Sequence, residues 1–240
     1  MDEMGMKPSR VIGEIHLRHK RTFAVGIDIG QAHDPTAICV ASKIVTTTLS
    51  PEYPQLNPMP HSGYEVDHLE RPWLGMPYPQ QVDHLERLMD KSPLDRLQPR
   101  VLVDYTGVGR PVFDMFAGRH SLRRAQGIVI MGGRETSETE AGWTVPKGEL
   151  VSKLQALLHA GNLRIAASSL PDAAVLAREL QDFRVRYTDA GSATFNAREG
   201  AYDDLVLTLA LAVFGLSQSE SATGLRVDWR GEPVFRLNGF

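Results

Sequence analysis

The sequence predicts an α/β fold in which a mixed central β-sheet is flanked by helices. Two apolar segments near the start of the chain, 23–30 and 36–42, are separated by a short polar turn, which is typical of an antiparallel hairpin. Further along, short apolar segments alternate with amphipathic stretches, an order that is typical of strands covered by helices. Because the first two strands are antiparallel, the pattern argues against a purely parallel, doubly wound sheet.

The other elements follow from periodicity and from turn residues. We expect strands at 63–70, 101–104, 127–131, 163–165, 183–188 and 194–196, and helices at 78–91, 110–116, 147–160, 171–183 and 203–216. Segment 132–146 is expected to be a long polar loop, and 50–60 a proline-rich excursion. The strand at 63–70 should direct Glu65 and Asp67 to one face.

Length and composition limit the class of protein. The 240 residues suffice for one good-sized domain, which we place at 22–217, between an N-terminal lead-in at 1–21 and a C-terminal extension at 218–240. No apolar segment is long enough to cross a bilayer, and no signal peptide is evident, so we expect a cytoplasmic protein with no membrane partner. The single cysteine excludes a disulfide framework or a cysteine metal site within one chain.

Acidic residues stand at three points where burial is expected. Asp28 lies in the first apolar strand, Asp104 ends the strand at 101–104, and Asp203 and Asp204 open the last helix. A buried carboxylate is costly unless it is paired, hydrogen-bonded or bound to a metal. Converging carboxylates would raise one another's pKa, and Mg²⁺ or Mn²⁺ would relieve that repulsion. Each residue also has a structural alternative as a turn or cap residue.

Basic residues suggest where a polyanion would bind. The net charge is −3, so nucleic-acid binding would depend on local patches. Lys147 at a helix start is a candidate phosphate contact, and Arg123, Arg124, Arg184 and Arg186 are weaker candidate DNA contacts. The alternative for each is a solvated surface charge.

The order of these motifs resembles the nuclease domain of phage large terminase subunits. The resemblance extends over about 22–217 and rests on the segments Val25-Gly-Ile-Asp-Ile-Gly30, Val101-Leu-Val-Asp-Tyr-Thr-Gly-Val-Gly109, Trp143-Thr-Val-Pro-Lys-Gly-Glu-Leu-Val151 and Tyr202-Asp-Asp-Leu-Val-Leu207. It implies an RNase H-like fold and a metal-dependent endonuclease that cuts concatemeric viral DNA during genome packaging. It further implies one or two Mg²⁺ or Mn²⁺ ions, and double-stranded DNA, an ATPase motor, a small terminase subunit and a portal as partners in a host bacterial cytoplasm.

The resemblance also assigns roles by position. Asp28 and Asp104 match the first and second acidic positions, and Asp203 and Asp204 match the acidic pair that opens the last helix, with Asp204 favoured over Asp203 as a ligand. All four are therefore expected metal ligands, and Asp28, Asp104 and Asp204 the expected catalytic residues.

Two features depart from the resemblance. The chain has no Gly-x-x-x-x-Gly-Lys-Ser/Thr segment of a motor domain, and Leu207 stands where related sequences often carry another acidic residue. Glu65, Asp67 and Asp34 are candidate substitutes for that ligand. Two alternatives therefore stay open: a non-catalytic RNase H-like module for DNA binding or assembly, and a phosphotransferase of the actin and sugar-kinase type, whose first strand reads similarly.

Overall fold

A computed structural model describes residues 16–30, 34–49, 60–107, 109–133, 135–182, 184–187, 193–196 and 202–218. The strands are β1 His16–Asp28, β2 Ala37–Leu49, β3 His61–Glu70, β4 Arg100–Asp104, β5 Gln126–Met131, β6 Ser137–Glu138, β7 Gly142–Pro146, β8 Leu163–Ile165, β9 Arg184–Tyr187 and β10 Ala193–Asn196. The helices are α1 Tyr78–Met89, α2 Leu94–Leu97, α3 Gly109–Met115, α4 Lys147–His159, α5 Ala173–Asp182 and α6 Asp204–Gln218, with a 3-10 turn at Phe116–Gly118.

Eight strands form one mixed sheet in the order β6-β7-β5-β4-β1-β2-β3-β8. The pairs β1–β2 and β2–β3 are antiparallel, whereas β1–β4, β4–β5, β5–β7 and β3–β8 are parallel. The predicted hairpin, the mixed sheet and the α/β class are therefore confirmed. Strands β9 and β10 form a separate two-stranded sheet.

The inner half of β1, from residue 23 to 27, is apolar on both faces because the sheet has a helical layer on each side. Ala24 belongs to the core that α4, α5 and α6 build on one face. Val25 and Ile27 belong to the core on the other face, with the buried side chains of α1 and α3. Helices on both faces explain why this part of the strand shows no alternation of polar and apolar residues.

Helix α6 lies unusually close to β1. A Cβ atom on Gly26 would stand 1.9 Å from the backbone oxygen of Thr208, and one on Gly215 would stand 2.3 Å from Leu102 Cδ1. Every residue of α6 from Asp204 to Leu216 is buried. The two glycines therefore allow the helix to pack directly on the sheet, with its first turn at the end of β1.

The N-terminal boundary of the sheet differs from the prediction. The sequence assigned 16–21 to a lead-in, but these residues form the outer half of β1 and pair with 44–49 of β2. The β-branched residues of β2 at 44–48 provide the partner strand, and this long-range pairing extends the hairpin. Residues 1–15 and 219–240 lie outside the described part of the chain.

The segment 132–146 is not the continuous loop that the sequence predicted. Its end forms β7, which pairs in parallel with β5, and β6 pairs with β7 at the edge. Trp143 lies in β7, and its ring meets that of Phe214 edge to face at a centroid distance of 6.1 Å. This contact anchors the strand to α6.

Among the described helices, none combines the length and apolarity that crossing a bilayer would require.

Candidate active site

The predicted acidic residues come together at one edge of the sheet. Strands β1 and β4 are parallel neighbours with Ile27 opposite Val103, so Asp28 and Asp104 end adjacent strands at the same edge. Asp204 is the first residue of α6, and the backbone oxygen of Asp203 accepts a hydrogen bond from Leu207 N at 2.9 Å. The close packing of α6 on β1 brings this first turn to the same edge.

The electrostatics of the carboxylates show their proximity. The pKa of Asp28 lies well above its usual range, first because the side chain is buried and then because Asp104, Asp204 and Asp203 repel its charge. Burial also raises the pKa of Asp104, although hydrogen bonds from Thr106 oppose the effect. Negative charge therefore accumulates at this edge without full compensation by the protein.

Lys147, predicted as a phosphate contact, lies inside the carboxylate group. Its Nζ donates a hydrogen bond to Asp203 Oδ2 at 2.7 Å, and both side chains are half-buried. Its charge also opposes the rise of the Asp28 and Asp104 pKa values. Lys147 is thus the cation that faces the Asp104 and Asp203 side of the group.

A second cation, Arg71, holds the other side. Its Nε and Nη2 donate to the two carboxylate oxygens of Asp204, each at 2.6 Å, and Nη2 also binds Glu179. Its backbone N–H donates to Asp172 Oδ2 at 2.9 Å. Because both oxygens of Asp204 are engaged, this carboxylate is held in one orientation.

Glu179 connects this ion pair to the start of α6. Its Oε2 accepts hydrogen bonds from the backbone N–H groups of Leu205 and Val206, at 3.0 and 3.1 Å. These donors have no partner within the helix, so a glutamate from α5 acts in place of a local cap. Burial and the charge of Asp204 raise the pKa of Glu179 to about 7.

Arg71 and Glu179 are functional candidates that the sequence reasoning missed. Arg71 directly follows β3, where nothing local indicates a partner. Glu179 carried one signal, because it continues the buried stripe of Ala173 and Leu176 on α5 at three-residue spacing. A charged residue on such a stripe needs a partner.

The other predicted residues lie away from the carboxylates or outside the described side chains. Arg123 is exposed, and Arg124 Nη1 donates to Gln98 Oε1 at 3.1 Å. Arg184 and Arg186 lie on β9, where only the backbone pairing with β10 is described.

The proposed substitutes for the missing ligand do not join the carboxylate group. Glu65 and Asp67 share one face of β3, as predicted, but both bind Arg21. Asp34 is exposed, and Leu207 is buried.

The donor set suits a hard divalent cation, since it offers carboxylate oxygens with unrelieved repulsion. Within the described residues, however, no three His, Cys, Asp or Glu side chains are grouped as ligands of one ion. Arg71 and Lys147 each bind one carboxylate of the α6 pair. The carboxylates therefore have the right chemistry for a metal ligand set, which would consist of Asp28, Asp104, Asp203 and Asp204. Their oxygen atoms would have to move closer to one another to bind one ion.

These observations define an α/β protein with a mixed sheet and an acidic group at the ends of two parallel strands and a helix. No protein-family model matches the chain, and no curated protein matches it significantly. Among solved structures, the chain is similar to the large terminase nuclease from thermophilic phage G20c with bound magnesium. The TM-score is 0.52 at 21% identity, and the match covers 81% of each chain.

Two further similarities are weaker. The large terminase nuclease domain of Thermus phage P74-26 matches with a TM-score of 0.47 at 21% identity, over 86% of this chain and 84% of that one. The nuclease domain of the bacteriophage SPP1 large terminase, with bound manganese, gives 0.45 at 11% identity, over 80% and 84%. The G20c match confirms the predicted RNase H-like fold of the terminase nuclease type, and at this identity it shows the fold alone.

Proposed function

We propose that this chain is a divalent-metal-dependent DNA endonuclease of the large terminase type, acting on double-stranded DNA. The observation that carries the proposal is the convergence of Asp28, Asp104, Asp203 and Asp204 at one edge of the sheet. Burial of Asp28 beside three other carboxylates is costly for the metal-free protein, and a cation would offset that cost. The fold is compatible with this function but does not decide it.

In this proposal Asp28, Asp104 and the α6 pair hold Mg²⁺ or Mn²⁺. A bound ion would supply an activated water and would stabilise charge on the phosphate oxygens. Asp204 is the ligand favoured by its position in the sequence, and it acts more strongly than Asp203 on the Asp28 pKa. Arg71 already binds both of its oxygens, whereas Lys147 binds one oxygen of Asp203. Either residue is therefore a candidate third carboxylate.

The chain's own cations have roles in this proposal. In this proposal Lys147 contacts the scissile phosphate once the charge on Asp203 is shared with a metal ion. Arg71 keeps Asp204 oriented. Arg123, Arg124, Arg184 and Arg186 remain proposed contacts to the duplex outside the cleavage site, where Lys and Arg side chains would replace counterions of the phosphates.

The terminase-type function brings further proposed partners and a location. Work on concatemeric viral DNA would require an ATPase motor, a small terminase subunit and a portal, and it would take place in the cytoplasm of a host bacterium. The similar G20c nuclease has magnesium bound, and the SPP1 domain has manganese bound. We extend the use of such ions to this chain as part of the proposal.

One observation favours a second candidate, a non-catalytic DNA-binding or assembly module with the same fold. The described residues contain no three side chains grouped as metal ligands, and Leu207 is buried in the core instead of offering a carboxylate. In that case Arg71 and Lys147 would be permanent partners of the acidic pair. Nothing in the described residues favours the phosphotransferase alternative.

The test is cleavage of supercoiled plasmid with Mg²⁺, with Mn²⁺ or with EDTA. We expect nicking and linearisation that require metal and disappear in Asp28→Asn and Asp104→Asn. Asp83→Asn is the matched control, because Asp83 is a half-exposed carboxylate of α1 that pairs with Arg119. Cleavage by the two site variants at the wild-type rate would refute the assignment. A folded wild type that cuts with neither metal would favour the non-catalytic module.

A further inference from the structure

The connection between β3 and α1 carries an exposed apolar tip. Residues 71–77, Arg-Pro-Trp-Leu-Gly-Met-Pro, place Trp73 and Leu74 in solvent, with 58% and 54% of their surface exposed. They are the most exposed large apolar side chains among the described residues. Single exposed apolar residues are ordinary, but two in succession on a short connection suggest a contact.

The first end of this connection is fixed to the acidic pair. The Arg71 guanidinium binds Asp204 through two hydrogen bonds, and its backbone N–H binds Asp172. Trp73 follows only two residues later. The connection therefore leaves the sheet directly beside the first turn of α6.

The second end is fixed next to Asp28. The buried side chain of Gln81 donates to Met76 O at 2.8 Å and to Gly30 O at 3.3 Å. It also accepts from Thr36 Oγ1 at 2.9 Å. Gly30 lies two residues after Asp28, so this buried amide joins the connection to the end of the strand that carries the first acidic residue.

The tip is also braced internally, since Met76 N donates to Trp73 O at 3.2 Å. A second aromatic ring lies on the same side, because the Arg71 guanidinium stands 5.6 Å from the ring centre of Tyr202. Half of the Tyr202 surface is exposed. An apolar tip and an aromatic ring thus border the carboxylate edge.

We propose that Trp73, supported by Leu74, is a DNA-contacting wedge that stacks on bases beside the cleavage position. The position of the scissile phosphate in this inference rests on the proposed nuclease function. A long polymer whose backbone reaches Asp28 and Asp104 must extend across the elements that border them. Residues 72–77 contain no carboxylate that would repel it. Aromatic rings stack on any base, and apolar side chains enter base steps in many DNA-binding proteins.

The test measures DNA binding by the full chain in EDTA, so that cleavage plays no part. The probes are a fully paired duplex and a duplex with one unpaired base. We expect Trp73→Ala to weaken binding by about 5-fold or more, as the loss of a base–aromatic stack does. Trp73→Phe should restore affinity, and the unpaired base should increase the difference. Met115→Ala, which removes an exposed apolar side chain from α3, is the matched control and should bind as the wild type does.

Tryptophan fluorescence provides an independent readout. The chain has three tryptophans, and Trp143 packs against Phe214. We expect DNA to quench the wild type, and Trp73→Phe to lose most of that quenching while keeping its affinity. Because Trp73 is largely exposed, its variants should melt at the wild-type temperature.

The outcomes separate this inference from the proposed nuclease. DNA binding that depends on Trp73, in a protein that never cuts, would refute the nuclease and support the wedge. Metal-dependent cleavage with unchanged binding and quenching in the Trp73 variants would refute the wedge alone. A wild type that binds neither probe would also overturn the inference.

Discussion

Replacement of Arg71 by methionine tests whether the ion pair at the start of α6 is a structural requirement. The change removes one guanidinium that serves two carboxylates, Asp204 and Glu179, whose side chains are 9% and 6% exposed. Both would remain in the core without their cation. Loss of one partner of a buried ion pair costs about 3–5 kcal/mol, and we expect a loss of unfolding free energy in this range at pH 8.

The loss of unfolding free energy in Arg71→Met should depend on pH through the carboxyl group of Glu179. The pKa of Glu179 is about 7 in the folded protein, above its usual value of 4.5, so the folded state binds more protons than the unfolded state between these values. Stability linked to Glu179 is therefore lost as the pH rises through about 7. Without Arg71 this pKa rises further. The variant should accordingly differ most from the wild type at pH 8 and much less at pH 5, where Glu179 is protonated in both.

The assay is urea unfolding in EDTA at both pH values. The control is Arg119→Met, since Arg119 also binds two carboxylates, Asp83 and Glu86, at 2.6 and 2.7 Å. These three side chains are far more exposed, so removal of Arg119 should lower the unfolding free energy much less than removal of Arg71 does. Equal losses in the two variants, or a loss in Arg71→Met that does not shrink at pH 5, would refute the reasoning.

Three further predictions concern single positions. Asp28→Asn should raise the unfolding midpoint in EDTA at pH 8, because the raised pKa of Asp28 shows that its charged form is unfavourable there; a lower midpoint would contradict this. The wild type should lose unfolding free energy between pH 4 and pH 7, since the pKa of Asp67 is about 6 in the folded protein. In Asp67→Asn this loss should be smaller by about 3 kcal/mol, as measured by urea titrations across the same pH range. Gly26→Ala should cost at least about 1–3 kcal/mol, because its Cβ would clash with Thr208, whereas Gly63→Ala, which meets open space, should cost far less in the same unfolding assay.

The fold was predictable where the signal is local. The hairpin of β1 and β2 and the burial of β4 follow from runs of apolar residues. The meeting of Asp28 and Asp104 follows from parallel pairing of two such strands. Strand β7 was missed because its pairing with β5 depends on a partner about fifteen residues away, and its own five residues stand among glycine and polar residues.

The partners of the acidic pair were not predictable in the same way. Lys147 was named as a phosphate contact, but its bond to Asp203 depends on how α4 and α6 meet. Arg71 acts on Asp204 only because the end of β3 reaches the start of α6. Contacts between elements far apart in the chain leave no periodic trace in the sequence, apart from the buried position of Glu179 on α5.

The close packing of α6 on the sheet determines which parts of this protein can change without loss of the fold. A helix buried from Asp204 to Leu216 and packed against Gly26 cannot slide or rotate without breaking the core. The backbone that carries Asp203 and Asp204 is therefore fixed, and any approach of their carboxylates to Asp28 and Asp104 is left to the side chains. Under the proposed function, control over which DNA reaches the acidic pair would come from the surface around it, above all from residues 72–77. Under the proposed function, exchange of residues 72–77 with Arg71 kept should change which DNA is bound while the acidic group stays the same.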